Sequence, residues 1–140
     1  MKSRNFTLEE IAHRPLPNDK RDIAAFLTGK MQSIVDYLSY QLKTRIGCTP
    51  TSGYRSPKVN IDISTTDRAD KTSNHMWRIE NDYIKCAGDY KFFNKQTSIQ
   101  IPCSIIFPLL APFGGEIYWN KKEDIIHIAD QGFNEPHWIQ

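Results

Sequence analysis

Two histidines and an aspartate in this sequence carry the side chains that a catalytic zinc site uses. His75 and Asp82 lie in SNHMWRIEND (73–82), and His127 lies far downstream in EDIIHIAD (123–130). A catalytic zinc ion takes three protein ligands of this kind and keeps a fourth position open for water. The three residues are therefore a candidate ligand set. Ordinary loop polarity is the alternative, since four histidines in 140 residues are unexceptional.

The spacing sets a geometric condition on the chain between His75 and Asp82. Seven residues of straight strand span roughly 23 Å at about 3.3 Å per residue. Two ligands of one ion must lie much closer together, so the chain has to bend, and we expect the bend near Trp77 and Arg78. His127 lies in an apolar run, 125–128, which predicts a strand in surroundings that exclude water from a bound ion.

The elements that would position these residues follow from hydrophobic spacing. Thr7 and Glu10 in FTLEEIA have the capping-box pattern, which predicts a short helix. Apolar residues at helical spacing predict a long helix from about Asp19 to Lys43. The stripe that we assign to the core consists of Ile23, Leu27, Met31, Ile34, Val35, Leu38 and Leu42.

The rest of the chain is typical of strands and turns. Strands are predicted in TRIGCTPTSGYR (44–55) and IENDYIKCAG (79–88), and a long loop over 60–74. SIQIPCSIIFPLLAPF (98–113) is ambiguous, and we favour a helix that starts near Pro102 and is disturbed at Pro108. GGEIYWNKKEDIIHIAD (114–130) has two apolar runs around NKKE, which predicts a hairpin. We therefore expect one domain, 1–140, of the α+β class: a small antiparallel sheet with N-terminal helices packed on one side.

Composition argues against several classes of protein. A net charge of +2 without a Lys/Arg run argues against a nucleic-acid partner. Three widely spaced cysteines without a CxxC pair argue against a cysteine zinc site and favour free thiols. The N-terminus lacks the apolar region of a signal peptide, and the stretch IIFPLLAPF (105–113) is too short and proline-broken to cross a membrane. We expect a monomer that is made in the cytoplasm and has no membrane partner.

Three segments together resemble the zinc D-alanyl-D-alanine carboxypeptidase family, which includes VanX- and VanY-like enzymes and cell-wall endolysins of many bacteriophages. The segments are SGYRSP (52–57), the Ser73-x-His75 stretch with Asp82, and the hairpin strand that carries His127. The likeness extends over roughly residues 6–138, and the family pattern S-x-H-x-x-G-x-A-x-D falls on Ser73, His75 and Asp82. It implies a hedgehog/D-Ala-D-Ala-peptidase-like fold with Zn²⁺ held by His75, Asp82 and His127.

The resemblance also implies roles for residues around the ion. Arg55, in the YRS motif, would grip the substrate carboxylate or polarise the scissile carbonyl, which suits a bidentate guanidinium. The family has a glutamate three residues before the last histidine ligand as general base, and here that position is Asp124, with Glu123 beside it. Strand alternation puts Glu123 on the face of His127 and Asp124 on the other. The turn at NKKE can break that alternation, so we favour Asp124, keep Glu123 as second choice, and leave open that both are solvated turn residues.

Two positions depart from the family pattern. Arg78 stands where the family has glycine, and Glu80 where it has alanine. Loss of glycine is awkward where a bend is required, because glycine adopts positive φ freely. Glu80 has the strand parity of Asp82, so it is an extra ligand, a partner that orients a histidine, or the mark of a site that has lost catalysis.

The resemblance therefore implies a zinc metallopeptidase that hydrolyses D-Ala-containing peptide bonds of bacterial peptidoglycan, as a carboxypeptidase or an endopeptidase. Ser73, Tyr54 and Trp119 are predicted to bind the stem peptide along with Arg55. The size and the missing signal peptide suit a phage lysis or entry enzyme that reaches the cell wall after release or as part of a virion. The alternative is an inactive zinc-binding relative that binds the cell wall or serves as a structural virion protein.

Overall fold

The computed structural model of the chain describes residues 6–13, 15–54, 75–80, 83–113, 115–130 and 136–139, the last four for the backbone alone. The predicted site residues Arg55, Ser73 and Asp82 lie outside these ranges.

The N-terminal helices follow the predicted patterns closely. Helix α1 (Leu8–Ala12) begins with the predicted capping box: the Glu10 amide donates to the Thr7 hydroxyl oxygen, and the Thr7 amide donates to the Glu10 carboxylate, at 3.1 and 3.0 Å. A 3₁₀ turn (Asn18–Lys20) leads into helix α2 (Arg21–Leu42). All but one residue of the predicted stripe is buried on α2, and the last, Leu42, is partly buried against the same core.

The strands are β1 (Ile46–Ser52), β2 (Arg78–Glu80), β3 (Tyr83–Asn94), β4 (Gly115–Asn120), β5 (Ile125–Asp130) and β6 (Pro136–Ile139). They form a sheet in the order β1-β3-β5-β4-β6, and β2 pairs with β3 off this path. These paired strands are antiparallel except β4 and β6, which run parallel. Helix α3 (Cys103–Leu109) follows Pro102 and contains Pro108. The predicted mixture of N-terminal helices and a small antiparallel sheet is thus confirmed, whereas the parallel strand β6 was not predicted.

Strand alternation gives the sheet two unlike faces. On one, which we call the helix-covered face, Tyr90, Ile126 and Ile128 are fully buried in a cluster with side chains of all three helices. On the other, which we call the polar face, Asp89 lies opposite His127 in the register of β3 with β5. Glu116 and Tyr118 of β4 pair with Ala129 and His127, so they share that face. We find no described helix with the length and hydropathy needed to cross a membrane.

Candidate metal centre

His75, Asp89 and His127 converge on the polar face. Each offers one ligand atom, and these atoms lie within 4.8 Å of one another. His75 Nε2 is 3.4 Å from Asp89 Oδ2, and His127 Nδ1 is 2.8 Å from Asp89 Oδ1. His75 and Asp89 are buried, and His127 is partly buried. The predicted convergence of His75 and His127 is therefore confirmed, with Asp89 as the carboxylate between them.

The strands and one indole ring bring the three side chains together. Asp89 and His127 are register partners on adjacent strands, so alternation alone puts both side chains on the polar face. His75 precedes β2, and the segment that carries it is fixed across β3 by Trp77. The buried Trp77 indole donates from Nε1 to the carbonyl oxygen of Ala87 at 2.9 Å.

The backbone at Gly53 fixes the ring of His75. His75 Nδ1 lies 2.8 Å from the Gly53 carbonyl oxygen, and a carbonyl only accepts, so Nδ1 carries the hydrogen and donates. Gly53 packs on the end of α1, where a Cβ would collide with the carbonyl oxygens of Ile11 and Ala12. Only glycine fits this close approach, which explains why SGYRSP has glycine at position 53.

Glu116 lies on the far side of the His127 ring. His127 Nε2 is 3.5 Å from Glu116 Oε1, and Glu116 is 9% exposed. Both histidines therefore present one nitrogen to Asp89 and the other to an acceptor outside the cluster. Metal-binding histidines in proteins have this arrangement, because the outer acceptor fixes the ring and raises the basicity of the ligand nitrogen.

The charges of the cluster balance one another without a metal. Burial would raise the pKa of Asp89, but hydrogen bonds and charge from His127 and His75 outweigh it and hold that pKa well below its ordinary value. Burial would lower the pKa of His127, but hydrogen bonds to Asp89 and Glu116 outweigh it and raise the pKa to about 9. The metal-free cluster therefore pairs an ionised carboxylate with a protonated imidazole.

The geometry fits a small cation. Ligands of a tetrahedral zinc ion, at about 2.0–2.2 Å from the metal, lie roughly 3.3–3.6 Å from one another. The 3.4 Å between His75 Nε2 and Asp89 Oδ2 has that length already. The 2.8 Å between Asp89 and His127 is a hydrogen bond that would open by about half an ångström around an ion. The buried group can thus hold a metal ion, and the identity of the ion is a separate question.

Sequence reasoning did not single out Asp89, which follows His75 by 14 positions on the far strand of the β2–β3 hairpin. The predicted ligand Asp82, seven positions after His75, lies outside the described residues and stays a prediction. Ala87 and Asp89 have an A-x-D spacing, which also occurs in the pattern of the family that the sequence resembles. That spacing was the signal that could have found Asp89.

Arg78 and Glu80, the two positions that depart from the family pattern, contact each other on the hairpin. The Glu80 carboxylate accepts hydrogen bonds from Arg78 Nε at 3.1 Å and from Lys85 Nζ at 2.9 Å, and it is exposed. Hydrogen bonds from Lys85 and Arg78 lower its pKa. Glu80 is therefore part of a surface ion-pair network on the hairpin and does not belong to the His75–Asp89–His127 group.

Asp124, the favoured general base, lies in the β4–β5 turn with φ of 53°. Its carboxylate accepts hydrogen bonds from the Trp119 indole Nε1 at 3.1 Å, from Gln100 Nε2 at 3.4 Å and from the Cys103 amide at 3.5 Å. Cys103 begins α3, so these contacts hold the carboxylate on the side of the helix-covered face. Glu123, the second choice, is exposed in the same turn.

The two aromatic residues predicted to border the substrate groove have different surroundings. Trp119 pairs with Ile126, and its ring packs against Phe107 of α3 at 6.0 Å between centroids, so it lies on the helix-covered face and not beside the ligands. The reason is parity: Tyr118, one residue earlier, is the register partner of His127. Tyr54 follows Gly53 and makes an edge contact with Trp77 at 5.7 Å, which places it next to the segment that holds His75.

We compared the chain with models of known protein families, with curated proteins and with solved structures, and none of them matched. The chemistry of the His75–Asp89–His127 group is therefore the basis for a function.

Proposed function

We propose that this chain is a zinc-dependent metallopeptidase that hydrolyses D-Ala-containing peptide bonds of bacterial peptidoglycan. The observation that carries the proposal is the buried group of two imidazoles and one carboxylate, each imidazole held from behind by an acceptor. Three ligands of this type suit a catalytic zinc ion with one open position, whereas structural zinc sites use four protein ligands. The likeness of SGYRSP and the His75 segment to D-alanyl-D-alanine peptidases supports the substrate class.

Bound by His75, Asp89 and His127, a zinc ion would supply Lewis-acid activation of water and of a peptide carbonyl. The chain itself supplies the rest. Gly53 and Glu116 orient the two rings, and burial of His75 and Asp89 keeps competing water out of the ligand set. Tyr54 and the predicted residues Arg55 and Ser73 would bind the peptide.

Proton transfer needs a carboxylate near the scissile bond. Asp124 and Glu123 stay predictions for this role, in which the residue takes a proton from the attacking water and returns it to the leaving amine. To act so, Asp124 would have to give up its hydrogen bond from Trp119. Exposed Glu123 would have no such bond from Trp119 to break.

The experiment is hydrolysis of purified muropeptides by the full chain loaded with Zn²⁺, followed by mass spectrometry. Released D-Ala would identify a carboxypeptidase, and a cut cross-link or stem would identify an endopeptidase. We expect Asp89→Asn to lose activity by at least about 100-fold, because the centre loses a charged ligand. Asp36→Asn is the matched control, since Asp36 is exposed on α2 and accepts a hydrogen bond from Gln32. No cleavage by the zinc-loaded wild type would contradict the proposal.

A second candidate function is an inactive zinc-binding relative that binds the cell wall or serves as a structural virion protein. The observation that favours it is the engagement of the Asp124 carboxylate by Trp119, Gln100 and Cys103. The same muropeptide experiment distinguishes the two functions, because this candidate predicts stoichiometric zinc and intact peptides. Retention of the zinc-loaded chain on purified peptidoglycan, without cleavage, would support the wall-binding form.

A further inference from the structure

The two histidines of the cluster turn different ring nitrogens toward Asp89. His75 presents Nε2, at 3.4 Å, and His127 presents Nδ1, at 2.8 Å. The outward nitrogens are therefore also different: Nδ1 of His75 meets the Gly53 carbonyl, and Nε2 of His127 meets Glu116. The cluster is asymmetric in the atoms that it offers to an ion.

The outward contacts decide which nitrogen is a ligand. A carbonyl oxygen and a carboxylate oxygen both accept hydrogen bonds, so these contacts favour a hydrogen on each outward nitrogen. A neutral imidazole has one N–H, and the other nitrogen then has the free lone pair that binds a metal. For His75 this nitrogen is Nε2, and for His127 it is Nδ1.

Glu116 is built into the sheet at the point where it can hold the His127 ring. It pairs with Ala129 on β5, two residues from His127, and this register puts its side chain on the polar face. It is 9% exposed, and a buried carboxylate needs hydrogen-bond or charge partners to offset the loss of water. At 3.5 Å the contact with His127 is long for a hydrogen bond. The assignment of Nε2 as the outward nitrogen of His127 therefore depends on the direction in which Nε2 faces, and less on the strength of this contact.

We propose that Glu116 is a positioning residue that fixes the His127 ring so that Nδ1 is its metal-binding nitrogen, while the Gly53 carbonyl fixes His75 to bind through Nε2. The inference rests on the proposed function for the presence of the metal. It goes further because it names the ligand atoms and assigns a role to a residue outside the ligand set, which neither the motif nor its spacing singled out.

The first test identifies the nitrogen directly. The full chain, labelled with ¹⁵N and loaded with Zn²⁺, is studied by long-range ¹H–¹⁵N correlation spectra, which connect the ring C–H protons to both imidazole nitrogens. We expect a protonated Nε2 and a zinc-shifted Nδ1 for His127, with the reverse pattern for His75. Zinc on Nε2 of His127 would overturn the inference, and this measurement uses the wild-type chain alone.

The second test measures zinc affinity by competition with a chelator. Glu116→Ala removes the acceptor and should weaken zinc binding about 10- to 100-fold. Glu116→Gln keeps an oxygen that accepts from Nε2, so its loss should be smaller than that of the alanine variant. Glu80→Gln is the control, since its carboxylate is engaged by Arg78 and Lys85 on the hairpin, and we expect wild-type affinity. Equal affinity in wild type and Glu116→Ala would overturn the inference.

Three outcomes separate this inference from the proposed function. Zinc bound through the expected nitrogens without muropeptide hydrolysis would contradict the peptidase alone. Zinc bound through Nε2 of His127, with hydrolysis, would contradict the role of Glu116 alone. A wild-type chain that does not bind zinc would overturn both.

Discussion

The helix-covered face and the polar face are built from alternate residues of the same three strands, yet they differ in almost every physical property. On β5, Ile126 and Ile128 are fully buried among apolar side chains, while His127 between them meets two carboxylates. On β3, Tyr90 packs in the core, and Asp89, its neighbour, pairs with two histidines. A slip of one residue in strand register would exchange the two sets.

The difference between the faces lies in what each gains from burial. Burial of apolar side chains lowers the free energy of the folded state by about 25 cal/mol per Å² of apolar surface removed from water. Buried charges lose solvation, which mutual attraction offsets only in a well-formed network. An intact charge network on the polar face therefore adds little net stability, although the loss of one of its charges is costly. Such arrangements are common where a protein does chemistry. We expect mutations on the helix-covered face to affect folding and mutations on the polar face to affect metal binding.

The largest effect is expected on the helix-covered face. Ile126→Ala removes buried methyl groups from the middle of the sheet, which should lower the free energy of unfolding by about 2–5 kcal/mol. Urea denaturation in EDTA measures this loss, and the matched control is Ile79→Ala, at a 62% exposed position on the hairpin, with an expected change within about 0.5 kcal/mol. Zinc stoichiometry of folded Ile126→Ala should equal that of wild type. Equal costs at the two positions would contradict the assignment of the faces.

On the polar face, the stability of the metal-free protein should depend on pH through His127. Its pKa is raised to about 9 from the model-compound value of 6.5, by hydrogen bonds to Asp89 and Glu116 that outweigh burial. Because the pKa of His127 is higher in the folded state, the protonated imidazole stabilises that state. This contribution is complete below about pH 6.5 and is lost as the pH rises through about 9. In EDTA, the free energy of unfolding should therefore fall by on the order of 2–3 kcal/mol across this range.

Urea titrations at several pH values measure this dependence, and two variants test whether it comes from His127. His127→Gln should remove most of the fall, whereas His13→Gln, at an exposed position after α1, should keep it. The free thiols titrate alike in both variants and cancel in the comparison. A fall that is the same in His127→Gln and His13→Gln would mean that the polar face carries no charge network in the absence of metal.

Residue patterns predicted the elements of the helix-covered face well, because buried apolar residues recur in the sequence at the regular spacing of a helix or a strand. The stripe on α2 and the capping box of Thr7 and Glu10 are local patterns, and the structure has both. The hairpin of β4 and β5 is equally local. The parallel pairing of β4 with β6 brings together segments separated by β5, and no local pattern encodes such a contact.

The polar face was harder to predict because its residues come from separate segments. His75 and His127 were found because histidine is scarce and each lies in a recognisable segment. Asp89 was not singled out, because the spacing from His75 pointed to Asp82, which lies outside the described residues and stays a prediction. Carboxylates are common, so the choice among them needed the register of β3 with β5, which sequence spacing alone does not contain.

Asp124 is an exception to the separation of the two faces, because a carboxylate predicted for chemistry is held on the helix-covered side. Asp124→Ala should lower the free energy of unfolding by about 1–3 kcal/mol, since the Trp119 indole and the Cys103 amide lose their acceptor. Alanine also tolerates the φ of 53° less well than aspartate does. Asp124→Asn keeps an acceptor oxygen and adapts to that φ, so its cost should be smaller.

Urea denaturation and chelator competition measure both variants, and we expect zinc affinity to stay within about threefold of wild type, because the Asp124 carboxylate does not belong to the His75–Asp89–His127 group. Hydrolysis of muropeptides by Asp124→Asn then decides the role of the residue. Retained hydrolysis with lowered stability would assign Asp124 to the turn and leave Glu123 as the predicted proton acceptor. Lost hydrolysis with unchanged stability and zinc content would show that the carboxylate leaves Trp119 to act as the base. In that case a residue on the helix-covered side would take part in the chemistry, and the separation of the two faces would not hold at this turn.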